Sequence, residues 1–390
     1  MKRYAELLRI PGLVPVVLSQ LFARFPNGML TLGLLIHIQQ QTGNFTIPGL
    51  VLGAEAFGQA IASPIMTRLI SKYGIRPVIG IAFIISMSLV TFVALVDVAP
   101  GVLVALGFLI GLTMPTIQPA ARAVYPSLVS KQQLVSLQAL DASIQELIWI
   151  AGPVIVVFLA TQINSTAGVL SAVFFGVGGG LWFLSRPEVG RTKLEPSTGH
   201  MGAVLKNPAV IVVVLSGLMI VGSFGAIEAA TVAAFGSGPE SPAGIILGLW
   251  AATSLIGGLA MGHTPIVRWS LARRMIIVAV GTGLAMLTTD PILLTFALLL
   301  SGLGVAPSMT VQYAVATESV EPGDLPESLG WLGTGWVIGG AIAAAVAGVA
   351  IDAWGSTGGF AIATAFAVLA AAIPTIFVRK LPDLRHLSTH

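Results

Sequence analysis

No cysteine occurs in the chain, which excludes disulfides and thiolate metal sites. Charge is nearly as scarce: Asp, Glu, Lys and Arg make up 9% of the residues, where a soluble domain carries about a quarter. A water-soluble particle of 390 residues cannot cover its surface with so few charges. Enzyme and nucleotide motifs are also missing. There is no paired-histidine helix and no Walker motif. The glycine-rich stretch GVGGG at 176–180 lies inside an apolar run, with no strand before it and no phosphate-binding lysine. These absences argue against an enzyme, against a cofactor and against direct use of ATP. What is abundant is apolar: 55% of residues are hydrophobic, and the mean hydropathy is +0.94.

A bilayer core about 30 Å thick needs about 20 apolar residues per helix. Windows of that length, cut by Gly, Pro and charge, fall at 13–38, 47–70, 77–97, 101–123, 134–160 and 165–185. After a polar break at 186–207, six more fall at 208–235, 242–264, 272–289, 291–316, 328–352 and 357–378. The expectation is an all-α membrane protein with twelve spans. An N-terminal bundle would cover 1–185, a cytoplasmic central loop 186–207, and a C-terminal bundle with a short cytoplasmic tail 208–390. The N-terminus resembles a signal n-region. However, the apolar run behind it is span-length, holds Arg24 and Pro26 and lacks a small-residue cleavage site, so it reads as a retained first helix.

The basic residues test this count. With the N-terminus inside, the inner segments hold Lys2, Arg3 and Arg9; Arg68, Lys72 and Arg76; Arg122 and Lys131; Arg186, Arg191, Lys193 and Lys206; Arg268, Arg273 and Arg274; and Arg379, Lys380 and Arg385. Of the 19 Lys and Arg residues, only Arg24 falls elsewhere. This is the positive-inside pattern. It places both termini in the cytoplasm and the protein in the plasma (inner) membrane. It also assigns the net charge of +3 to a membrane face and not to nucleic acid. The inner loop 317–327 departs from the pattern, being acidic with Glu318, Glu321, Asp324 and Glu327.

The two halves echo each other. GLVLGAEAFGQAIAS (49–63) matches GIILGLWAATSLIGG (244–258), with Gly49 opposite Gly244, Gly53 opposite Gly248 and Glu55 opposite Trp250. Pro11 and Ser19 correspond to Pro208 and Ser216. A parallel repeat of two six-helix units is a known transporter symmetry, with the substrate site between the halves near the midplane.

With this topology, the loop TRLISKYGIRP (67–77) resembles the major facilitator superfamily motif G-x-L-x-D-R-x-G-x-R. Leu69, Lys72 (for the first Arg), Gly74 and Arg76 match it, while Thr67 and Ser71 stand where the motif has Gly and Asp. The resemblance spans essentially the whole chain. It implies the major facilitator fold, twelve helices in two pseudo-symmetric six-helix bundles. In that family the motif Asp helps hold the cytoplasmic ends of two helices together, and Ser71 cannot supply the ionic part of that contact. IAGPVIVV (150–157) is similar to the Gly-Pro core of the fifth-helix motif of drug/proton antiporters, through Gly152 and Pro153, without the flanking glycines.

A charge at mid-bilayer costs about 2.5–3.5 kcal/mol on insertion scales, so an intramembrane charge is a functional candidate. Arg24 lies about 17 Å from the inner end of its helix and Glu55 about 12 Å from the outer end of the next, at 1.5 Å per residue. The depth match suggests that they meet, either as cavity groups that bind anions and titrate during transport, or as a static pair. On the fifth helix Gln138, Asp141, Gln145, Trp149 and Gly152 form one stripe. That stripe suits a cavity wall, with Glu146 beside it. Asp141 reads chiefly as a structural partner of Arg122. Glu228 and His37 lie near outer helix ends, as gates or, by preference, solvated ends. Asn27, Gln59, Gln118, Gln312, Tyr313, Trp331 and Trp336 are further lining candidates, and Pro26, Pro115 and Pro307 are candidate bends. Gly107/Gly111 and Gly340/Ala344/Gly348 have small-xxx-small spacing for close helix approach.

Together these point to a secondary transporter working by alternating access. The expected partners are protons, a small-molecule solute and the lipid bilayer, with the protein a monomer. Proton-coupled export of small amphipathic compounds is the preferred expectation. Proton-coupled transport of a polar metabolite such as a sugar, or a non-transporting receptor or scaffold, are the alternatives.

Overall fold

The computed structural model describes residues 6, 7, 9–43, 46–192, 200–235, 242–262 and 264–385. Among the described residues, helix is the only extended secondary structure. The first half holds α1 (Leu13–Thr42), α2 (Thr46–Tyr73), α3 (Ile75–Leu95), α4a (Pro100–Thr113), α4b (Ile117–Leu128), α5a (Lys131–Ile144), α5b (Glu146–Gln162) and α6 (Ser165–Ser185). The second half holds α7 (Pro208–Phe235), α8 (Ala243–Met261), α9 (Ser270–Met286), α10 (Pro291–Glu318) and a continuous run Leu325–Ile376. That run bends at Gly355, whose φ of 64° is non-helical. We label 325–354 α11 and 356–376 α12.

Among the described residues, ten helical stretches are long and apolar enough to cross a bilayer. The Leu325–Ile376 run contains two of the expected windows, α4a with α4b and α5a with α5b each make one crossing, and α9, with 17 residues, is just shorter than these crossings. The twelve-span expectation therefore holds, including the windows at 328–352 and 357–378 that the Gly355 bend separates. α4 is broken at Pro115, which has no N–H to give the preceding turn.

The buried apolar residues form two clusters. One draws on residues 7–189. The other draws on 209–384 and takes in only Val135 and Ala142 from the first half. In lipid, helices gain little from apolar contact alone, so close backbone approach carries much of the packing. A Cβ at Gly107 would overlap the Val51 carbonyl oxygen, and one at Gly111 would overlap that of Glu55. This fits the close approach expected there between α4a and α2. The Gly340/Ala344/Gly348 stripe is different: Gly348 faces open space and Gly340 reaches only Val221. The close contact between α7 and α11 runs instead through Gly335 against Val214 and Gly339 against Leu218. The small-xxx-small spacing is thus present on the neighbouring face of the helix, one position earlier.

The halves meet where α2 packs on α11, and α5a on α8 and α10. Ser63 donates to the Gly330 carbonyl at 3.0 Å and Thr334 to the Ala60 carbonyl at 3.0 Å. At the motif loop, Ser71 donates to the Gly323 carbonyl at 3.2 Å. One turn earlier, Arg68 lies 3.7 Å from Glu327. The contact for which the family uses an Asp is thus made here by a neutral hydrogen bond, with an ion pair beside it.

The remaining motif residues have local roles. Gly74 takes φ 89° between α2 and α3, a conformation that a side chain would strain. Its N–H closes α2 on the Ile70 carbonyl at 2.8 Å. Arg76 donates to the Leu184 and Arg186 carbonyls at 2.9 and 3.0 Å, capping the end of α6. Exposed Lys72 sits 5.0 Å over the Tyr73 ring.

Gly111→Val is expected to force α2 and α4a apart and to destabilise the protein by about 1–3 kcal/mol, the usual range for overpacking. Gly348→Val, which meets open space, is expected to change stability by less than about 0.5 kcal/mol. Thermal unfolding in detergent checks both, and equal losses would contradict this packing.

Candidate functional site

Near the middle of the first half, one carboxylate gathers donors from two other helices. Asp141 on α5a is buried, as are Arg24 and Gln20 on α1 and Arg122 and Tyr125 on α4b. Asp141 Oδ1 accepts from Gln20 Nε2 at 2.8 Å, from Tyr125 Oη at 3.0 Å and from Arg24 Nη1 at 3.4 Å. Asp141 Oδ2 lies 2.5 Å from Arg122 Nη2. Arg24 Nη1 also donates to Gln20 Oε1 at 3.0 Å, and its Nη2 donates to Gln145 Oε1. Two guanidiniums thus share one carboxylate, and the cluster carries a net positive charge.

The local sequence explains the arrangement. Gln20 and Arg24 are one turn apart on α1, and Asp141 and Gln145 one turn apart on α5, so each helix presents a matched pair of polar groups. α5 can approach because Gly152 lies against Gly28: a Cβ there would meet the Gly28 backbone at 3.1 Å. Pro153 follows it within α5b, half-buried.

From this core a chain of contacts crosses to the second half. Gln118 donates to Gln145 Oε1 at 2.8 Å and to Tyr313 Oη on α10. The Arg122 guanidinium carbon lies 3.0 Å over the centre of the Tyr313 ring. Tyr313 meets Trp336 of α11 edge-to-face at 5.3 Å, and Trp336 Nε1 donates to Gln312 Oε1 at 3.1 Å. Gln138 donates to Thr317 Oγ1 at 3.1 Å. Glu146 is buried and accepts from Ser254 Oγ of α8 at 2.9 Å; Ser254 Oγ in turn accepts from the Ala306 N–H at 3.2 Å.

Asn27 and Thr31 are exposed and lie on the α1 face that carries Gln20 and Arg24, away from Phe22, which stacks on Phe175 of α6. Trp149, one turn beyond Gln145 on the same α5 stripe, is 49% exposed.

Several expectations need correction. Arg24 does not meet Glu55: its polar contacts go to Gln20, Asp141 and Gln145. Glu55 is half-buried, its backbone lies against Gly111 of α4a, and among the described residues its carboxylate has no hydrogen bond or ion pair. Residue counting set the depth of both groups but could not set the direction each helix face points. Asp141 pairs with Arg24 as well as Arg122, so its role is wider than the single structural pair. His37 is no solvated end: it is buried, with Nδ1 3.0 Å from Ser165 Oγ and Nε2 3.2 Å from the Val93 carbonyl. Glu228 is exposed. Gln20, Tyr125 and Ser254 were missed. Gln20 was legible as a polar residue four before Arg24 in a span, and Tyr125 as three after Arg122; no sequence signal marked Ser254.

The Major Facilitator Superfamily profile matches residues 16–289 and 266–389. The chain belongs to the Major Facilitator Superfamily. As a member it is a multi-pass membrane transporter of small solutes and not an enzyme. Solved structures agree on the fold. A bacterial homologue of the iron transporter ferroportin, crystallised in an outward-facing state, matches with a TM-score of 0.76 at 15% identity, over 93% of this chain and 98% of that one. The human organic anion transporter MFSD10 (TETRAN) matches with a TM-score of 0.73 at 15% identity and the same coverage. The E. coli fucose:proton symporter FucP gives 0.70 at 18% identity, over 95% of this chain and 98% of that one. No curated protein matches the chain by sequence.

Removing one member of a buried ion pair costs about 3–5 kcal/mol, because its partner is left uncompensated. Asp141→Ala is expected to destabilise by that amount, and Arg24→Ala/Asp141→Ala to recover a measurable part of the summed single losses. Arg24→Ala/Glu55→Ala is expected to be additive within about 0.5 kcal/mol. A double-mutant cycle read by thermal unfolding decides. Additivity for Arg24 and Asp141 would remove the ion pair from the account.

Proposed function

We propose that this facilitator is a proton-coupled exporter of small amphipathic compounds, working by alternating access between the halves 1–185 and 208–390. The observation that carries this reading is a buried acid, Glu146, bonded across the interface between the halves to Ser254, beside the polar cluster of Arg24, Asp141 and Gln145. A carboxyl that binds a proton loses its charge and changes its hydrogen-bonding role, so its link to the opposite half ties proton occupancy to the position of that half. Glu55, half-buried without an ionic partner, is the second acid in this scheme.

The contacts between the halves support a rocking geometry. Those of α2 with α11, from Ala60–Thr334 to Ser71–Gly323, lie toward the end bearing the basic loops. If that end is cytoplasmic, as the Lys and Arg distribution favours, this conformer is sealed inside and open outside. The likeness to a neighbour crystallised outward-facing is in keeping with that.

A second reading, transport of a polar metabolite, gains from the convergence of Gln118, Gln145, Gln312, Tyr313 and Trp336. Such a site needs many hydrogen-bonding groups and aromatic platforms together, and the fold brings them together from four helices.

Proteoliposome flux with and without an imposed pH gradient tests the proposal. Amphipathic solutes should be moved by the gradient and sugars should not, and Glu146→Gln should lose the gradient dependence. Gradient-independent flux in the unaltered protein, or gradient-driven flux in Glu146→Gln, would overturn the coupling.

The absence of native cysteine allows a second test. Ser71→Cys/Gly323→Cys, joined by oxidation, is expected to hold the basic end closed and stop flux, with recovery on reduction. Unchanged flux in the cross-linked protein would contradict alternating access at this seam.

A further inference from the structure

The charge count of the cavity floor is unbalanced. Arg24 and Arg122 are both buried, and Asp141 is the only acid that touches them among the described residues. The nearest other acid along α5, Glu146, is turned to Ser254. A buried cationic excess of this kind is costly unless something anionic offsets it.

The hydrogen bonds are unbalanced in the same sense. Arg24 Nε, Arg122 Nε and Arg122 Nη1 are buried with no hydrogen-bond partner among the described residues. Guanidinium nitrogens cannot be silenced by losing a proton, so unpartnered ones ask for an acceptor. The acceptor that Arg24 Nη2 does have is the neutral amide oxygen of Gln145, and that same oxygen also serves Gln118. A carboxylate or phosphate oxygen makes a shorter and stronger bond to a guanidinium than an amide does.

The position of Gln145 makes an exchange feasible. It is less deeply buried than Arg24, at 7% against 2% exposure, and exposed residues follow one turn on along both helices, Trp149 after Gln145 and Asn27 after Arg24. Once displaced from Arg24, Gln145 can turn and present its amide N–H groups to an entering anion. Trp149 flanks the approach, and an apolar body can lie against its indole while the head group sits on the floor.

We propose that the floor binds the singly charged oxyanion head of an amphipathic solute, with Arg24 accepting it in the place that Gln145 Oε1 now holds. This names the substrate class of the site used above, and it rests on the reading of that site as the transport cavity. The net single positive charge matches one negative charge on the solute. A cationic amphiphile is disfavoured by the same count.

Binding to the purified full chain in nanodiscs tests it, with phenylbutyrate, phenylbutyramide and phenylbutylamine as matched probes and inorganic phosphate as a head group without a tail. The carboxylate is expected to bind at least about tenfold more tightly than the amide, the usual worth of a charged over a neutral hydrogen bond. The amine should show no binding. Arg24→Gln should erase the preference for the anion, while Arg24→Lys should keep part of it. If Arg24→Gln does not fold, phenylglyoxal modification of Arg24 in the unaltered protein, read by mass spectrometry, should be slowed by phenylbutyrate and not by the amide. Equal binding of carboxylate and amide, no binding of phenylbutyrate up to about 10 mM, or an intact preference in Arg24→Gln would each overturn the proposal. Nanodiscs of anionic and zwitterionic lipid separate the two sources of an oxyanion. Competition from anionic lipid alone would assign the floor to a lipid head group and overturn the solute reading. Flux of the amide equal to that of the carboxylate would sink the anion site and leave transport standing. Selective anion binding with no flux of any probe would do the reverse.

Discussion

The structure depends on a single carboxylate held between two guanidiniums inside an apolar bundle. Asp141 ties α1, α4b and α5a through Arg24, Gln20, Arg122 and Tyr125. Deep in an apolar bundle an unpaired charge is costly, and Asp141 offsets that cost for both guanidiniums at once. The apolar packing of the first half leaves room for it: Gly28 and Gly152 let α1 and α5b approach until the polar groups meet. The glycine contact and the ionic contact therefore support each other, and neither has an obvious substitute in a chain with so few charges.

The same cluster reaches across to the second half through Gln118 and Tyr313, with the Tyr313 ring under Arg122. A ligand on the floor would be felt directly at the interface. Farther along, the seam between α2 and α11 is made of single hydroxyl-to-carbonyl bonds and one ion pair that is only partly shielded. Bonds of that kind have modest net worth, about 0.5–1.5 kcal/mol each, which suits the contact that the proposed rocking would form and break. The central cluster is built of stronger, charge-assisted contacts, as befits something that should persist.

The motif loop shows how a familiar function can be met by other residues. Ser71 stands in the position of the family's Asp and still links α2 to the start of α11, now through a neutral bond to Gly323. The charge has moved to Arg68 and Glu327. Glu327 is the innermost of the acidic residues that made the 317–327 loop an exception to the basic pattern, and its contact with Arg68 gives that exception a structural purpose.

Composition and periodicity alone determined much of this protein. The apolar windows, their number, the polar break in the middle and the segregation of Lys and Arg follow from the cost of exposing polar groups to lipid, a cost that depends on residue type and position along the chain. Arg24, Asp141 and Gln145 were legible as site candidates for the same reason. What the sequence left open was azimuth. A depth counted in residues says how far along a helix a group lies, not which neighbour it faces, so Arg24 was matched with Glu55 and the close glycine face of α11 was misplaced by one position. Only the tertiary structure decided that Arg24 turns to Asp141, that Ser254 of a distant helix meets Glu146, and that two cations share one anion. Those pairings are set by how helices rotate and pack against one another, which is a property of the whole bundle and of no single span.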